Sequence, residues 1–238
     1  MSVPPPPAAP ADGPVGLDRE ALAAVLDDIG VPAKQRRMRT AQLWGWLYRR
    51  GAASYAAMSD LPAGLRGDLE ERLPWRRPTV SERRTSADGT IKWLVRLADG
   101  REVEAVYIPE ADRGSLCVST QVGCTLSCSF CHTGTMRLVR NLTPGEILEQ
   151  VRLARDTLGD WDPKAPRRLT NIIVMGMGEP LFNWDNLKAA LALAMDEDGI
   201  NISRRRITVS TSGVVPRIHD VGAELRTKLA ISLHAVRD

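Results

Sequence analysis

Residues 117–134 read Cys117-Val-Ser-Thr-Gln-Val-Gly-Cys124-Thr-Leu-Ser-Cys128-Ser-Phe-Cys131-His-Thr-Gly134. A short β-type run leads into three thiols spaced C-x3-C-x2-C, with Phe130 just before the last. Spacings this short put three sulfurs within reach of one metal centre on a single loop. Thiolates are ligands for zinc and for iron–sulfur clusters. A structural zinc ion usually takes four protein ligands, so a zinc loop here would need Cys117 or His132 as the fourth. Three thiolates on a four-iron cluster instead leave one iron open to a small chelating molecule. That asymmetry points to catalysis.

Downstream of the loop the pattern is strand, loop, helix, repeated. Thr143-Pro144-Gly145-Glu146 is a capping box with Pro at the first helical position, and its helix should run to about Leu158. Asn171–Met175 is an apolar strand, Asp185–Met195 an amphipathic helix, Arg206–Ser210 a strand, Pro216–Val221 a short helix and Leu229–Leu233 a last strand. With Cys117–Val122 as the entering strand, this predicts a parallel sheet with helical crossovers. Four such strands are half of a closed (β/α)8 barrel. The expected fold class is α/β, a partial (β/α) barrel over residues 111–238.

Upstream the periods differ. Residues 1–16 are Pro- and Ala-rich without periodicity and read as a disordered tail. Residues 17–77 read as a small helical domain: one helix capped by Asp18 and stopped at Gly30, one over Thr40–Arg50, and one after Pro62 with leucines at helical spacing. Residues 78–110 hold three strand-like runs separated by Asp88-Gly89 and Asp99-Gly100, a β-meander linker.

Composition narrows the class. The 238 residues are 43% hydrophobic with a net charge of +3, ordinary for a globular protein. The longest apolar run, Ala189–Met195, is far short of the roughly 20 residues of a membrane span, and no secretion signal is visible. All four cysteines fall between Cys117 and Cys131. This clustering favours a reducing cytoplasm over a disulfide framework. Basic residues concentrate at Lys34–Arg50 and at Arg72, Arg76, Arg77, Arg83 and Arg84, which suits either a phosphate backbone or a solvated face.

In βα folds the reactive groups sit at the carboxyl ends of the strands. Three further features fall there: Met175-Gly176-Met177-Gly178-Glu179-Pro180, Ser210-Thr211-Ser212-Gly213 and Ser232-Leu233-His234. Each has a plainer reading, as a strand-ending turn or a satisfied core histidine. Lys164, Arg167, Arg168, Arg204 and Arg205 precede strands and belong to the opposite face, where a solvated role is expected. Arg137 and Arg140 follow the cysteine loop and are better placed for RNA phosphate.

Taken together, these motifs resemble the dual-specificity adenosine-C2 RNA methyltransferases of the radical S-adenosylmethionine superfamily, the RlmN/Cfr family. The resemblance is carried by Arg101–Pro109, Leu116–Cys124 with Cys128 and Cys131, Met175–Pro180, Val209–Pro216 and Ser232–Ala235. It implies that Cys124, Cys128 and Cys131 hold a [4Fe–4S] cluster. Gly178, Glu179, Ser210, Ser232, Leu233 and His234 would contact S-adenosylmethionine. Glu104 matches the family's proton acceptor and Cys117 the thiol that helps release the methylated base. The implied substrates are 23S rRNA and tRNA, methylated at adenosine C2 with two molecules of S-adenosylmethionine and a methyl-cysteine intermediate. An electron donor such as flavodoxin and a monomeric, cytoplasmic enzyme complete the picture.

One departure bears on activity. The family's methyl-carrying cysteine lies near its C-terminus, and no cysteine follows Cys131 here. The chain therefore reads as a fragment of a longer enzyme, inactive by itself. Two other readings compete: a radical S-adenosylmethionine enzyme with another substrate, and a zinc-stabilised RNA-binding module without catalysis.

Overall fold

The structure is a computed structural model that describes residues 13–233. Helix α1 (Arg19–Asp28) starts where Asp18 accepts from the Ala21 N–H at 2.8 Å, and buries Leu22 and Leu26. Helix α2 (Ala33–Trp44) begins seven residues before the expected start at Thr40. Its first turns are Lys, Gln, Arg and Met, good helix formers with no buried face to leave a pattern. It continues as a π-helical turn, Gly45–Arg49, that buries Leu47 and Tyr48. Helix α3 (Ala63–Arg72) follows Pro62 as expected.

Three antiparallel strands follow, β1 (Thr79–Thr85), β2 (Ile91–Arg96) and β3 (Glu102–Pro109). Then come β4 (Gly114–Cys117), β5 (Gln121–Val122), β6 (Arg140–Asn141), α4 (Pro144–Leu158) and β7 (Asn171–Val174). Helix α5 (Trp184–Met195), β8 (Ile207–Thr211), α6 (Val215–Asp220) and β9 (Lys228–Ile231) complete the chain.

One seven-stranded sheet runs β1-β2-β3-β4-β7-β8-β9. Its last four strands are parallel and lie in sequence order. That singly wound order is the arc of a (β/α) barrel; a doubly wound sheet would reverse at a switch point. The meander read as a linker is continuous with this sheet, because β3 pairs antiparallel with β4 from Val106↔Cys117 to Pro109↔Gly114. The Cys117–Val122 run is not one strand: β4 ends at Cys117, and Gln121–Val122 turns away to pair with Arg140–Asn141.

Residues 13–16, assigned to the tail by composition, are packed. Val15 is buried, and the Gly16 N–H donates to the Tyr48 hydroxyl at 2.9 Å. Residues 1–12 lie outside the described part.

Helix α4 joins the two halves. Its Arg152 is wholly buried, donates to the carbonyls of Leu47 and Ala52, and lies over Trp75 and Trp161. Arg77 bridges Glu149 and Asp156 on the same helix. The helical segment is thus riveted to the sheet layer by ionic and main-chain contacts that its own pattern did not show.

Candidate functional site

The cysteine loop closes on itself by short-range bonds: Cys131 N–H to Cys128 O at 3.1 Å, Gly134 N–H to Cys131 O at 3.0 Å, and Leu126 N–H to Cys124 Sγ at 3.3 Å. Cys124, Cys128 and Cys131 line one cavity of about 220 Å³ together with Gly178, Glu179, Ser210 and Ser232. Burial pushes the Cys124 thiol up; the Leu126 N–H opposes this, while Cys128, Cys131 and Glu179 add to it. Mutual repulsion among three thiolates is what a cationic centre would relieve. Among the described residues no three His, Cys, Asp or Glu side chains stand close enough to hold one metal ion, and His132 is exposed. Three thiolates from one short loop on one cavity fit a cluster that each would bind at a different iron.

The second wall is Met175–Pro180. A Cβ on Gly176 would stand 2.7 Å from the backbone and hydroxyl of Ser119, and Gly178 has φ +95° with Gln121 where a Cβ would go. These two glycines let one strand-end loop lie directly on the next. Polar bonds fix the contact. The Met177 N–H donates to Ser119 Oγ at 2.9 Å, Ser119 Oγ donates to Glu104 O at 2.6 Å, and the Glu179 N–H donates to Gln121 Oε1 at 3.0 Å.

Glu179 is 3% exposed. Its carboxylate accepts from the Leu181 N–H at 3.1 Å, the Ser212 N–H at 2.9 Å and the Ser212 hydroxyl at 3.0 Å. No cation pairs with it among the described residues. A buried carboxylate held by neutral donors carries net charge into the cavity, ready for an ammonium group. Ser210 on β8 and Ser232, just past the end of β9, meet at 3.3 Å between hydroxyls. Leu233 does not line this cavity and is 71% exposed; His234 lies outside the described residues.

Neither Glu104 nor Cys117 lines that cavity. Val106 is paired with Cys117 across β3–β4, so Glu104, two residues away, shares their face of the sheet. Glu104 Oε1 is 2.5 Å from Lys92 Nζ. Burial raises the pKa of the Cys117 thiol; the Met175 N–H opposes that and the Glu104 charge adds to it. The sheet therefore brings these two residues within electrostatic reach, with Cys117 favoured as the neutral thiol.

Arg140 was expected to face RNA phosphate. Instead it is buried, forming a fork with Glu146 at 2.7 and 2.8 Å and bonding Asp99 at 2.8 Å. Its charge is already matched, which leaves Arg137 as the exposed member of that pair. Of the upstream basic residues, Arg36, Arg50, Arg72, Arg77 and Arg84 pair with carboxylates.

Sequence reasoning missed the buried polar residues behind the site. Gln150 holds both the N–H and the carbonyl of Ser119, at 2.8 and 3.0 Å, and Asn183 donates to the carbonyls of Thr120 and Leu142 at 2.8 Å. The signal was present: Ser119-Thr120-Gln121 interrupts an apolar run and is fully buried, so its polar groups had to find partners.

Comparison with known proteins adds a family to this geometry. A profile of the radical SAM superfamily matches residues 118–238. A profile of the ribosomal RNA large subunit methyltransferase N-terminal domain matches residues 15–73. A protein named dual-specificity RNA methyltransferase RlmN from Jannaschia sp. (strain CCS1) is 55% identical over 236 residues, 95% of this chain and 60% of the relative. One of the same name from Bradyrhizobium sp. (strain BTAi1) is 57% identical over 234 residues, 94% of this chain and 58% of the relative. The chain thus spans about 60% of the length of the curated relatives it matches. The crystal structure of a radical SAM methyltransferase from Sphaerobacter thermophilus has a TM-score of 0.85 and 44% identity, covering 98% of this chain and 65% of its own.

Proposed function

Because the chain belongs to the radical S-adenosylmethionine superfamily and, within it, to the RlmN methyltransferases, we propose that it carries the cluster- and cofactor-binding part of an enzyme that methylates adenosine C2 in 23S rRNA and tRNA. The cofactors of the superfamily are a [4Fe–4S] cluster and S-adenosylmethionine. The observation that carries the reading is one cavity lined by Cys124, Cys128, Cys131, Gly178, Glu179, Ser210 and Ser232.

In this reading the three thiolates hold the cluster, and Glu179 takes the ammonium group of S-adenosylmethionine. Gly178 allows close approach, and the Ser210 and Ser232 hydroxyls bind polar groups of the same molecule. When bound, the pair supplies the one-electron chemistry needed at a ring carbon that carries no acidic proton. Glu104 receives the proton lost from that carbon, and Lys92 compensates its charge beforehand. Cys117 waits as a thiol, shielded by burial, and acts at product release. The family resemblance assigns Leu233 and His234 to the cofactor as well; Leu233 stands outside the cavity lining and His234 outside the described residues. A flavodoxin-type donor supplies the electron, and the enzyme acts as a monomer. Among the described residues no helix is long and apolar enough to cross a membrane, and four free thiols suit a reducing cytoplasm.

The test is anaerobic reconstitution with iron and sulfide. Brown protein whose cluster signal changes when S-adenosylmethionine is added is the expected result. Colourless, zinc-containing protein would instead support the zinc-stabilised module. With the full-length natural protein, 2-methyladenosine in both RNAs is expected by mass spectrometry.

A further inference from the structure

The parallel strands have two ends, and the site described above occupies only the carboxyl one. At the amino end a cavity of about 460 Å³ opens between the residues that lead into each strand. Arg113 precedes β4, Asn171 begins β7, Arg205 and Arg206 precede β8, and Lys228 begins β9. In-register parallel pairing, Ser115↔Asn171, Ile172↔Ile207 and Thr208↔Lys228, brings these leading residues together. The lining thus holds four cations against one carboxylate, Asp112.

Two of the cations have structural work. Arg113 pairs with Glu110, and Arg206 donates to Asn171 Oδ1 at 3.2 Å. Arg205 and Lys228 have neither a carboxylate nor a hydrogen-bond partner among the described residues. Like charges gathered on one rim repel. Among the described residues no carboxylate offsets the charge of Arg205 or Lys228. A bound polyanion would.

We propose that this amino-end basin is a second RNA contact, gripping backbone phosphate remote from the reacting base. The inference rests on the reading of the protein as an RNA-modifying enzyme, but on different residues. Arginine forks match phosphate geometry, and phosphate contacts add affinity and orientation without reading sequence. A redox partner is the poorer fit. It would face the end of the strands opposite the cysteine loop, with roughly 13 Å of four-residue strand between.

The test uses the reconstituted full-length natural protein and a labelled hairpin RNA, with binding followed by anisotropy across a salt series. Arg205→Gln/Lys228→Gln should weaken binding about ten-fold and reduce the salt slope by roughly two, one per lost cation, whatever the hairpin sequence. Arg205→Lys/Lys228→Arg should restore the slope, and S-adenosylmethionine binding should stay unchanged in both. Wild-type RNA binding with an unaltered slope in the Gln variant overturns the basin and leaves the function standing. Unaltered RNA binding with weakened binding of reduced flavodoxin overturns it in favour of a protein dock. No RNA binding by wild-type protein that carries cluster and cofactor overturns the RNA reading itself, and the basin with it.

Discussion

Glu179 shows how neighbours set what one residue can do. The same Gly-Glu-Pro in another setting would only end a strand. Here three neutral donors hold the carboxylate in place without neutralising it. Glu179→Gln keeps the shape and removes the charge, so S-adenosylmethionine affinity should fall about ten-fold or more, from the loss of a charge-assisted bond worth roughly 1.5–3 kcal/mol. Equilibrium binding on reconstituted protein reads this, with iron content unchanged; an unaltered dissociation constant would return Glu179 to a turn-forming role. The thiols divide in the same way. Cys124→Ala, Cys128→Ala and Cys131→Ala should each lose the cluster, while Cys117→Ala, outside the cavity, should keep it. Iron and sulfide analysis decides. Cys117 offers a pH test as well. Its folded pKa lies above the ordinary thiol value, so its alkylation should lag a free thiol near pH 8 and catch up only at higher pH. Glu104→Gln removes the charge that adds to burial in raising it and should move that profile downward; a profile that stays put would separate the two residues.

Helix α4 is the element that joins everything. Thr143 and Glu146 form the capping box at its start, and Gly159 ends it in the left-handed conformation. Between them, Glu146 fixes Arg140, Gln150 fixes Ser119, and Arg152 reaches into the helical segment. Thr143→Ala should cost about 1 kcal/mol, as a lost N-cap does. Arg152→Met should cost more, about 2–4 kcal/mol, because the Leu47 and Ala52 carbonyls are left buried without a donor. Urea denaturation compares the two. Equal, small losses would mean that water enters and replaces Arg152.

At the scale of the whole molecule, acid should loosen the seam between α1 and the end of α5. Arg19 donates to Asp196 at 2.6 and 3.0 Å. That bond lowers the Asp196 pKa despite opposing burial. At Asp99 burial works against the charge, yet the bonds from Arg140 and the Arg101 N–H outweigh it and the pKa is also lowered. For a depressed carboxylate the sign is fixed: the stabilisation is complete above the unfolded pKa, about 3.9, and is lost as pH falls through the lower folded value. Urea midpoints should therefore drop steeply below about pH 4. Arg19→Gln should flatten that drop; an equally steep profile in the variant would place the acid sensitivity elsewhere.

Local pattern determined much of this protein. The thiol spacing, the Asp-Gly turns, the capping box at Thr143 and the alternation of apolar strands with amphipathic helices are short-range signals, and they place the cysteine loop, Gly178–Glu179 and Ser210 at strand ends. Tertiary structure alone decided the rest. Whether the meander was a linker or three strands of the same sheet depended on β3 pairing with β4, a long-range choice that no local period encodes. Composition assigned Val15 and Gly16 to a tail, but partners far along the chain hold them: Tyr48 bonds Gly16, and Gly145 lies against the Val15 backbone. Arg140 reads like any exposed arginine until the fold supplies Glu146 and Asp99. Side-chain charge is visible in sequence; what neutralises it, or leaves it unpaired among the described residues as at Arg205 and Lys228, depends on which residues the fold makes neighbours.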